Sequence, residues 1–157
     1  MNRSLIKKSV TMSFLTSLLL FFSCNVMLIG AYDQVTDQGI QKIQNEITTI
    51  IVKIESNIDN KTIVDNKYDN FKNDYSEIKG EIQSLETRCV AIPKYKLVLD
   101  QVKALDNTLN DFEKLHKLGF DKKNEVETIR STFNIEFQAM ITLQNGLKRT
   151  KTDKTTK

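Results

Sequence analysis

The segment Tyr68–Cys89, YDNFKNDYSEIKGEIQSLETRC, decides the fold of this chain. Its apolar side chains recur after three and four residues in strict alternation; they are Tyr68, Phe71, Tyr75, Ile78, Ile82, Leu85 and Cys89. This spacing puts all of them on one face of an α-helix. A face that continues for three heptads is expected to pack against other helices along its whole length. The dipeptide Ile92-Pro93 is expected to end the helix, because the residue before proline disfavours helical geometry.

A similar apolar stripe precedes this segment, and another lies towards the end of the chain. The earlier stripe follows Asp33 or Thr36, either of which can cap a helix N-terminus, and the stretch Asn57-Ile58-Asp59-Asn60 ends it. The later stripe is expected to start after an N-cap at Asp121. The earlier stripe consists of Ile40, Ile43, Ile47, Ile50, Ile54 and Ile58, and the later one of Val126, Ile129, Phe133, Phe137, Met140, Gln144 and Leu147.

A further stripe lies between Pro93 and Gly119. Pro93 suits the first turn of a helix, where its missing N–H has no partner to lose. Gly119 can take the left-handed conformation that ends a helix, and Phe120 is then expected to fold back onto Leu115. The stripe consists of Val98, Val102, Leu105, Leu109, Phe112 and His116.

These four stripes are joined by short connections, which is typical of helices that run antiparallel to their neighbours. The sequence therefore predicts an all-α protein in which four long antiparallel amphipathic helices form an up-down helical bundle over residues 34–147. Residues 148–157, KRTKTDKTTK, contain no apolar side chain. This composition predicts a disordered basic tail.

The start of the chain has the layout of a bacterial export signal. Basic residues near the N-terminus are followed by an uncharged run over residues 9–32. The stretch from Leu18 to Phe22, followed by Ser23-Cys24, resembles the lipobox of bacterial lipoproteins. This resemblance implies that residues 1–23 are a signal peptide and that Cys24 becomes the acylated N-terminus, carrying fatty acids such as palmitate. Residues 24–33 would then be the lipidated cysteine and a short tether.

Two other processing routes remain open. Ordinary signal peptidase could cut after Ala31, which would leave a soluble exported protein. Alternatively, the uncharged stretch from Val10 to Ala31 is long enough to cross a hydrocarbon core of ~30 Å as an uncleaved anchor. All three routes place the helical part of the chain outside the cytoplasmic membrane.

Composition limits the remaining possibilities. The formal net charge is +3, and Arg3, Lys7 and Lys8 account for all of it. A chain that begins at Cys24 is neutral overall, so we expect no binding to nucleic acid. Cys24 and Cys89 are the only cysteines, which excludes a disulfide framework. Cys89 continues an apolar stripe and is expected to lie in the core.

Signals for catalysis or for a bound cofactor are missing from the sequence. His116 is the only histidine, and we interpret it as a boundary residue that the helix dipole favours. The sequence contains no metal-ligand spacing, glycine-rich phosphate loop or nucleophile elbow. Tyr68, Phe71 and Tyr75 are expected to pack in the core rather than to face a ligand. We therefore expect no enzyme, no cofactor and no metal.

Two basic stretches suggest surface roles. Lys94, Tyr95 and Lys96 form a basic-aromatic turn that could meet a partner or a lipid headgroup. The basic run after residue 147 is either a solubilising tail or a tether to a polyanion.

The sequence thus predicts a small exported lipoprotein in the bacterial cell envelope, anchored through Cys24 and facing the periplasm or the cell surface. Its bundle is expected to act as a structural or protein-binding module for another envelope protein, and it could also form a homo-oligomer. The alternative is a secreted or signal-anchored helical module that binds a small apolar ligand or inhibits an enzyme.

Overall fold

The computed structural model describes residues 29–120 and 122–155. It contains four long helices: α1 (Gln34–Asp59), α2 (Lys72–Ala91), α3 (Lys96–Leu118) and α4 (Lys123–Thr155). Helix α1 packs against α2 and α4, and α3 packs against the same two helices, so the four form a closed ring. Successive helices run antiparallel. The predicted all-α up-down bundle is confirmed, and the described residues contain no strand.

The core of the bundle is built from the four apolar stripes. Members of every stripe are almost fully buried and belong to one hydrophobic cluster. Burying a single isoleucine or phenylalanine side chain contributes about 1.5–3 kcal/mol, so these stripes supply the main stabilisation of the fold. Cys89 lies in this core as predicted, and burial raises the pKa of its thiol to about 11.

Asp33 is the N-cap of α1, as the sequence predicts. Its Oδ2 accepts hydrogen bonds from the Thr36 backbone N–H at 2.9 Å and from the Thr36 hydroxyl at 2.7 Å. Arg88, near the end of α2, donates to both oxygens of the same carboxylate at 2.6 and 2.7 Å. These hydrogen bonds, that from Arg88 above all, hold the pKa of Asp33 well below its usual value. The cap therefore also joins α1 to α2.

Helix α2 begins later than its apolar stripe. Tyr68–Asn70 forms a 3-10 turn, and the α-helix starts only at Lys72. The connection before it is held across the end of the bundle, because the buried Asn66 side chain donates to the Ile54 carbonyl at 3.1 Å. The prediction of continuous α-helix from Tyr68 is therefore wrong for its first turn. Phe71 is nevertheless buried, as its place in the stripe requires.

Pro93 does not lie in the first turn of α3, contrary to the prediction. The chain is extended at Ile92 and turns through Pro93 and Lys94, and α3 starts at Lys96. Within this turn, Lys94 has a φ of 62°, in the left-handed region. This turn presents the Lys94 carbonyl to the segment before α1.

The end of α3 follows the predicted glycine stop. Gly119 has a φ of 100° and donates its N–H to the His116 carbonyl at 3.0 Å. Phe120 then folds back, but onto Phe112 and His116 rather than onto the predicted Leu115, which remains partly exposed on the outer face of α3. The predicted N-cap at Asp121 lies outside the described residues.

The predicted disordered tail is wrong for residues 148–155, which continue α4. Lysine and arginine are good helix formers, and their positive charge is favourable at a helix C-terminus. The ammonium groups of Lys148 and Lys151 also lie 5.7 and 5.6 Å from the centre of the Tyr32 ring. Tertiary contacts thus support a helix end that has no apolar residue of its own.

Candidate functional site

Two opposite ends of the bundle carry the features with functional meaning. The Gly30 end consists of residues 29–33, the end of α2, the turn at Pro93, the start of α3 and the end of α4. The His116 end consists of the connection over residues 60–71, the end of α3 and the start of α4. Helix α3 has 23 residues, which corresponds to ~35 Å between the two ends.

Cys24, the predicted lipidation site, and the predicted signal peptide over residues 1–23 lie outside the described residues. The first described residue, Ile29, follows Cys24 by five positions. Five residues span at most ~18 Å when fully extended. An acyl chain on Cys24 would therefore hold the Gly30 end close to a membrane surface.

Gly30 is an integral part of the fold. Its N–H donates to the Lys94 carbonyl at 2.9 Å. A Cβ atom at this position would lie 2.7 Å from both the Pro93 carbonyl oxygen and a ring carbon of Tyr95, so a larger residue does not fit. Ile29 and Tyr32 also pack against the core. The predicted tether over residues 24–33 is therefore wrong for its second half, because residues 29–33 are docked on the bundle.

Tyr32 connects residues 29–33 to the first and the last helix of the bundle, α1 and α4. Its hydroxyl donates to Asp37 in the first turn of α1 at 2.8 Å, and this hydrogen bond raises the pKa of Tyr32. Its ring meets the ammonium groups of Lys148 and Lys151 on α4. A lysine over an aromatic ring contributes about 0.5–1 kcal/mol at an exposed site. The segment is thus held by α1, α4 and the turn at Pro93 together.

A small polar group interrupts the core beside this segment. The side chain of Gln144 is buried next to the hydroxyl of the buried Tyr95. Burial raises the pKa of Tyr95, and side-chain hydrogen bonding of its hydroxyl with Gln144 and Thr36 acts to lower this pKa.

An open cleft of about 550 Å³ occupies the His116 end. The connection over residues 60–71 forms one wall and the end of α3 forms the other. The lining residues are Val64, Asn66, Lys67, Tyr68, Asp69, His116, Lys117, Leu118, Gly119 and Phe120.

His116 forms the floor of this cleft and is only 1% exposed. Its Nε2 lies 2.8 Å from the Asn66 carbonyl oxygen, which can only accept, so Nε2 carries a proton. Its Nδ1, 3.0 Å from the Tyr75 hydroxyl, then accepts that hydrogen bond. Burial lowers the pKa of His116, in keeping with a neutral ring. The interpretation of His116 as a boundary residue is wrong, because the connection that supplies Asn66 covers it.

Aromatic rings surround His116 at centroid distances between 4.8 and 6.2 Å. Phe71 and Tyr75 are buried, as predicted. Tyr68, predicted to be a core residue, is only partly buried and forms part of the cleft wall. The rings in this cluster are those of Tyr68, Phe71, Tyr75, Phe112 and Phe120.

Glu113 fixes the position of the Tyr68 ring. It accepts hydrogen bonds from the Tyr68 hydroxyl at 2.6 Å and from Lys117 at 2.8 Å, and it also accepts one from Lys79. Burial acts to raise the pKa of Glu113, but the hydrogen bonds from Lys117, Lys79 and Tyr68 outweigh it and lower the pKa to about 2. The carboxylate therefore stays ionised and joins Tyr68 of the cleft wall to α2 and α3.

The rim of the cleft carries apolar residues together with the charged residues Lys67, Lys117 and Asp69. Val64 and Leu118 are 63% and 85% exposed, one on each wall. Lys67 is exposed beside them, and Lys117 lies 4.6 Å from the Tyr68 ring centre. A single exposed apolar residue is common, but two that flank an aromatic-walled cleft mark a candidate contact surface. Its chemistry suits an apolar or aromatic side chain next to a carboxylate.

Three carboxylates meet on the side of the bundle, where Glu46 from α1 lies near Glu77 and Glu81 from α2. Single oxygen atoms of the three lie within 4.8 Å of one another. Lys42 forms ion pairs with Glu46 at 3.3 Å and with Glu81, so a cation of the chain itself already balances part of this charge. The spacing of residues within one segment does not predict this group, because its members come from two helices.

No protein-family model, curated protein or solved structure matches the chain. Within residues 29–120 and 122–155, none of the helices combines the length and the apolar character that a membrane crossing requires.

Proposed function

We propose that this protein is a lipoprotein of the bacterial cell envelope that is anchored through acylated Cys24 and faces the periplasm or the cell surface. Its bundle binds a protein partner in the cleft at the His116 end. The anchor and the cleft then lie at opposite ends of a rod ~35 Å long. The partner is an envelope protein that contributes an apolar side chain and a neighbouring acidic group.

The fit of Gly30 is the observation that carries the anchor. Cleavage after Ala31 would remove Gly30 and its hydrogen bond to the Lys94 carbonyl. An uncleaved anchor ending at Ala31 would place Gly30 in the hydrocarbon region, away from Pro93 and Tyr95, which it touches in the fold. Processing before Cys24 leaves the whole docked segment on the mature protein. The packing of residues 29–33 thus supports the lipoprotein route.

The exposed apolar residues at the two edges of the cleft favour a protein partner over a small ligand. Sites for small molecules usually bury most of the ligand surface, whereas this cleft is open and its apolar residues Val64 and Leu118 point outwards. A protruding apolar side chain of another protein would cover both Val64 and Leu118. Lys67 on the rim supplies an attractive charge for an acidic neighbour of that side chain.

Binding rather than catalysis is also supported by the polar groups of the cleft. Both ring nitrogens of His116 are engaged in hydrogen bonds within the core. The Glu113 carboxylate is engaged with three donors and is held ionised. These two groups have structural partners, so neither is poised for general acid–base work. The same geometry gives no reason to propose a cofactor.

Leu118→Asp in the full-length protein tests the cleft. We expect the yield of its cross-linked product in intact envelopes to fall at least ~10-fold, since a lost contact of 1.4 kcal/mol has that effect on an equilibrium constant. Val90→Asp is the matched control, because Val90 is 70% exposed and lies near the end of α2 at the Gly30 end. Unchanged cross-linking of Leu118→Asp would contradict docking in the cleft and would favour the small-ligand or inhibitor alternative.

A further inference from the structure

Two basic segments that are far apart in sequence meet at the Gly30 end. One is the turn that carries Lys94 and Lys96, and the other is the last part of α4. Both contact the segment before α1: the Lys94 carbonyl accepts from Gly30, and the ammonium groups of Lys148 and Lys151 lie over Tyr32. The side chains of these four lysines are exposed. We define the basic face as Lys94, Lys96, Lys148, Arg149 and Lys151.

Acidic residues also lie at this end of the bundle. Asp33 is engaged by Arg88, which is outside the face, and Asp37 accepts from Tyr32 and Gln41. Lys96 pairs with Asp100 at 2.6 Å, but both side chains are largely exposed and such a pair is weak in water. Residues 24–147 hold nineteen acidic and fifteen basic side chains. Residues 148–157 hold five basic side chains and one acidic side chain, so the part of α4 that contributes to this face carries a net positive charge.

We propose that the basic face rests on the anionic lipid headgroups of the membrane that holds the acylated Cys24. This inference rests on the proposed anchor, which brings the face to the bilayer. The chain from Cys24 to Ile29 reaches at most ~18 Å, and the negative potential of a membrane extends over a Debye length of about 8 Å at physiological salt. The short anchor and the basic face lie at the same end of the bundle, so both would contact the same membrane surface.

The contact orients the bundle. An acyl chain alone is a point of attachment about which a folded domain can tilt. Lys94 and Lys96 extend the attachment to one side of the bundle end, and the last turns of α4 extend it across the neighbouring helix. With both in contact, the helices stand close to the membrane normal. The cleft at the His116 end is then presented ~35 Å above the lipid surface.

The test compares lysine reactivity in two kinds of vesicle. The full-length protein is reconstituted into vesicles of phosphatidylcholine alone, or of phosphatidylcholine with a third of phosphatidylglycerol. It is treated briefly with a water-soluble amine-acylating reagent, and each lysine is read by peptide mass spectrometry. The internal controls are Lys61 and Lys67, which belong to the His116 end, and Lys72, which directly follows its connection over residues 60–71. The ratio between the two groups of lysines cancels differences in the amount of accessible protein.

We expect the lysines of the basic face to react at least ~3-fold more slowly, relative to the controls, in the anionic vesicles, and the difference to disappear in high salt. A double variant, Lys96→Glu with Arg149→Glu, is expected to abolish most of the protection of Lys94 and Lys148. The matched control, Lys67→Glu with Lys72→Glu, is expected to retain it. Neither substitution in the test pair touches the Tyr32 contact.

Equal ratios in the two vesicle types would overturn the proposal, and so would protection that survives high salt or the Lys96→Glu, Arg149→Glu variant. Acylation of Cys24 is measured separately by fatty-acid incorporation. Acylated protein with equal ratios would refute the basic face alone. Protection without acylation would keep the basic face and refute the lipid anchor.

Discussion

Ile82→Ala is expected to lower the free energy of unfolding by about 2–5 kcal/mol, because it removes buried carbons and leaves a cavity. Ile82 lies in the middle of the α2 stripe and is almost fully buried. A domain of this size is usually stable by only ~5–15 kcal/mol, so the change should be plain in a urea titration. The titration is best done on the chain from residue 29 onwards, because Gly30 belongs to the fold.

Gln83→Ala is the matched control for this measurement. Gln83 is the next residue on α2 and is exposed, so its replacement should change the free energy of unfolding by less than ~0.5 kcal/mol. Alanine is at least as good a helix former as either residue that it replaces. The difference between the two urea midpoints therefore reports burial rather than helix propensity. Equal midpoints would mean that the stripe over residues 68–89 is not a core.

His116→Ala is expected to produce the second large loss, about 3–5 kcal/mol at neutral pH. The substitution leaves the Tyr75 hydroxyl and the Asn66 carbonyl without partners, at about 1–3 kcal/mol each. It also leaves a cavity among the surrounding aromatic rings. Urea titration of the variant and the wild type at neutral pH measures the loss. A change smaller than ~1 kcal/mol would contradict the buried position of the ring.

The pH dependence of the same variant tests the protonation state of His116. Burial lowers the pKa of this residue below its usual value of 6.5. Above that value both the folded and the unfolded chains hold a neutral ring. As the pH falls below it, the unfolded chain binds a proton that the folded chain does not bind, so the stability of the wild type decreases. The decrease continues until the pH reaches the pKa of the folded state, at up to ~1.4 kcal/mol per pH unit.

His116 is the only histidine in the chain, so His116→Ala should lack this slope between about pH 7 and pH 5. Loss of stability from Glu113 belongs to a lower range, because its pKa falls from a usual 4.5 to about 2 and its stabilising effect fades only as the pH drops through that interval. Urea midpoints measured at intervals across both ranges separate the two groups. Parallel profiles for variant and wild type would mean that His116 binds protons equally in the folded and unfolded chains, which would contradict its burial as a neutral ring.

Periodicity was sufficient to predict the bundle, for a physical reason. The residues on a buried helix face recur with the period of the helix. The spacing of Tyr75, Ile78 and Ile82 therefore indicates which face of the helix is turned towards the core. The Gly119 stop and the Asp33 cap are also local signals, since each depends on residues within one turn. These local features agree with the structure.

The features that differ from prediction depend on residues distant in sequence. His116 is a core residue because Asn66, 50 positions away, supplies its partner. Gly30 is docked because Lys94 and Tyr95 lie beside it. The end of α4 is helical next to Tyr32, although its own residues are all polar. Pattern analysis of single segments contains no information on such meetings.

The cleft also depends on residues that are distant in sequence. Its two walls come from residues 64–69 and 116–120, which are separated by two helices. The stripe correctly includes Tyr68, but the exposure of this residue is decided by the 3-10 turn that replaces the first turn of α2. Val64 and Leu118 lie outside the stripes and carried no signal. An irregular connection packed on a helix end is thus the part of the site that sequence reasoning missed.

Radioactive fatty-acid labelling of growing cells tests the proposal that Cys24 carries the lipid that holds the bundle. The wild type is expected to be labelled and to sediment with membranes, whereas Cys24→Ala is expected to be unlabelled and either unprocessed or released. Cys89→Ala is the matched control and should keep its label, because Cys89 is buried in the bundle core. Label that persists in Cys24→Ala, or is absent from the wild type, would contradict the lipid anchor.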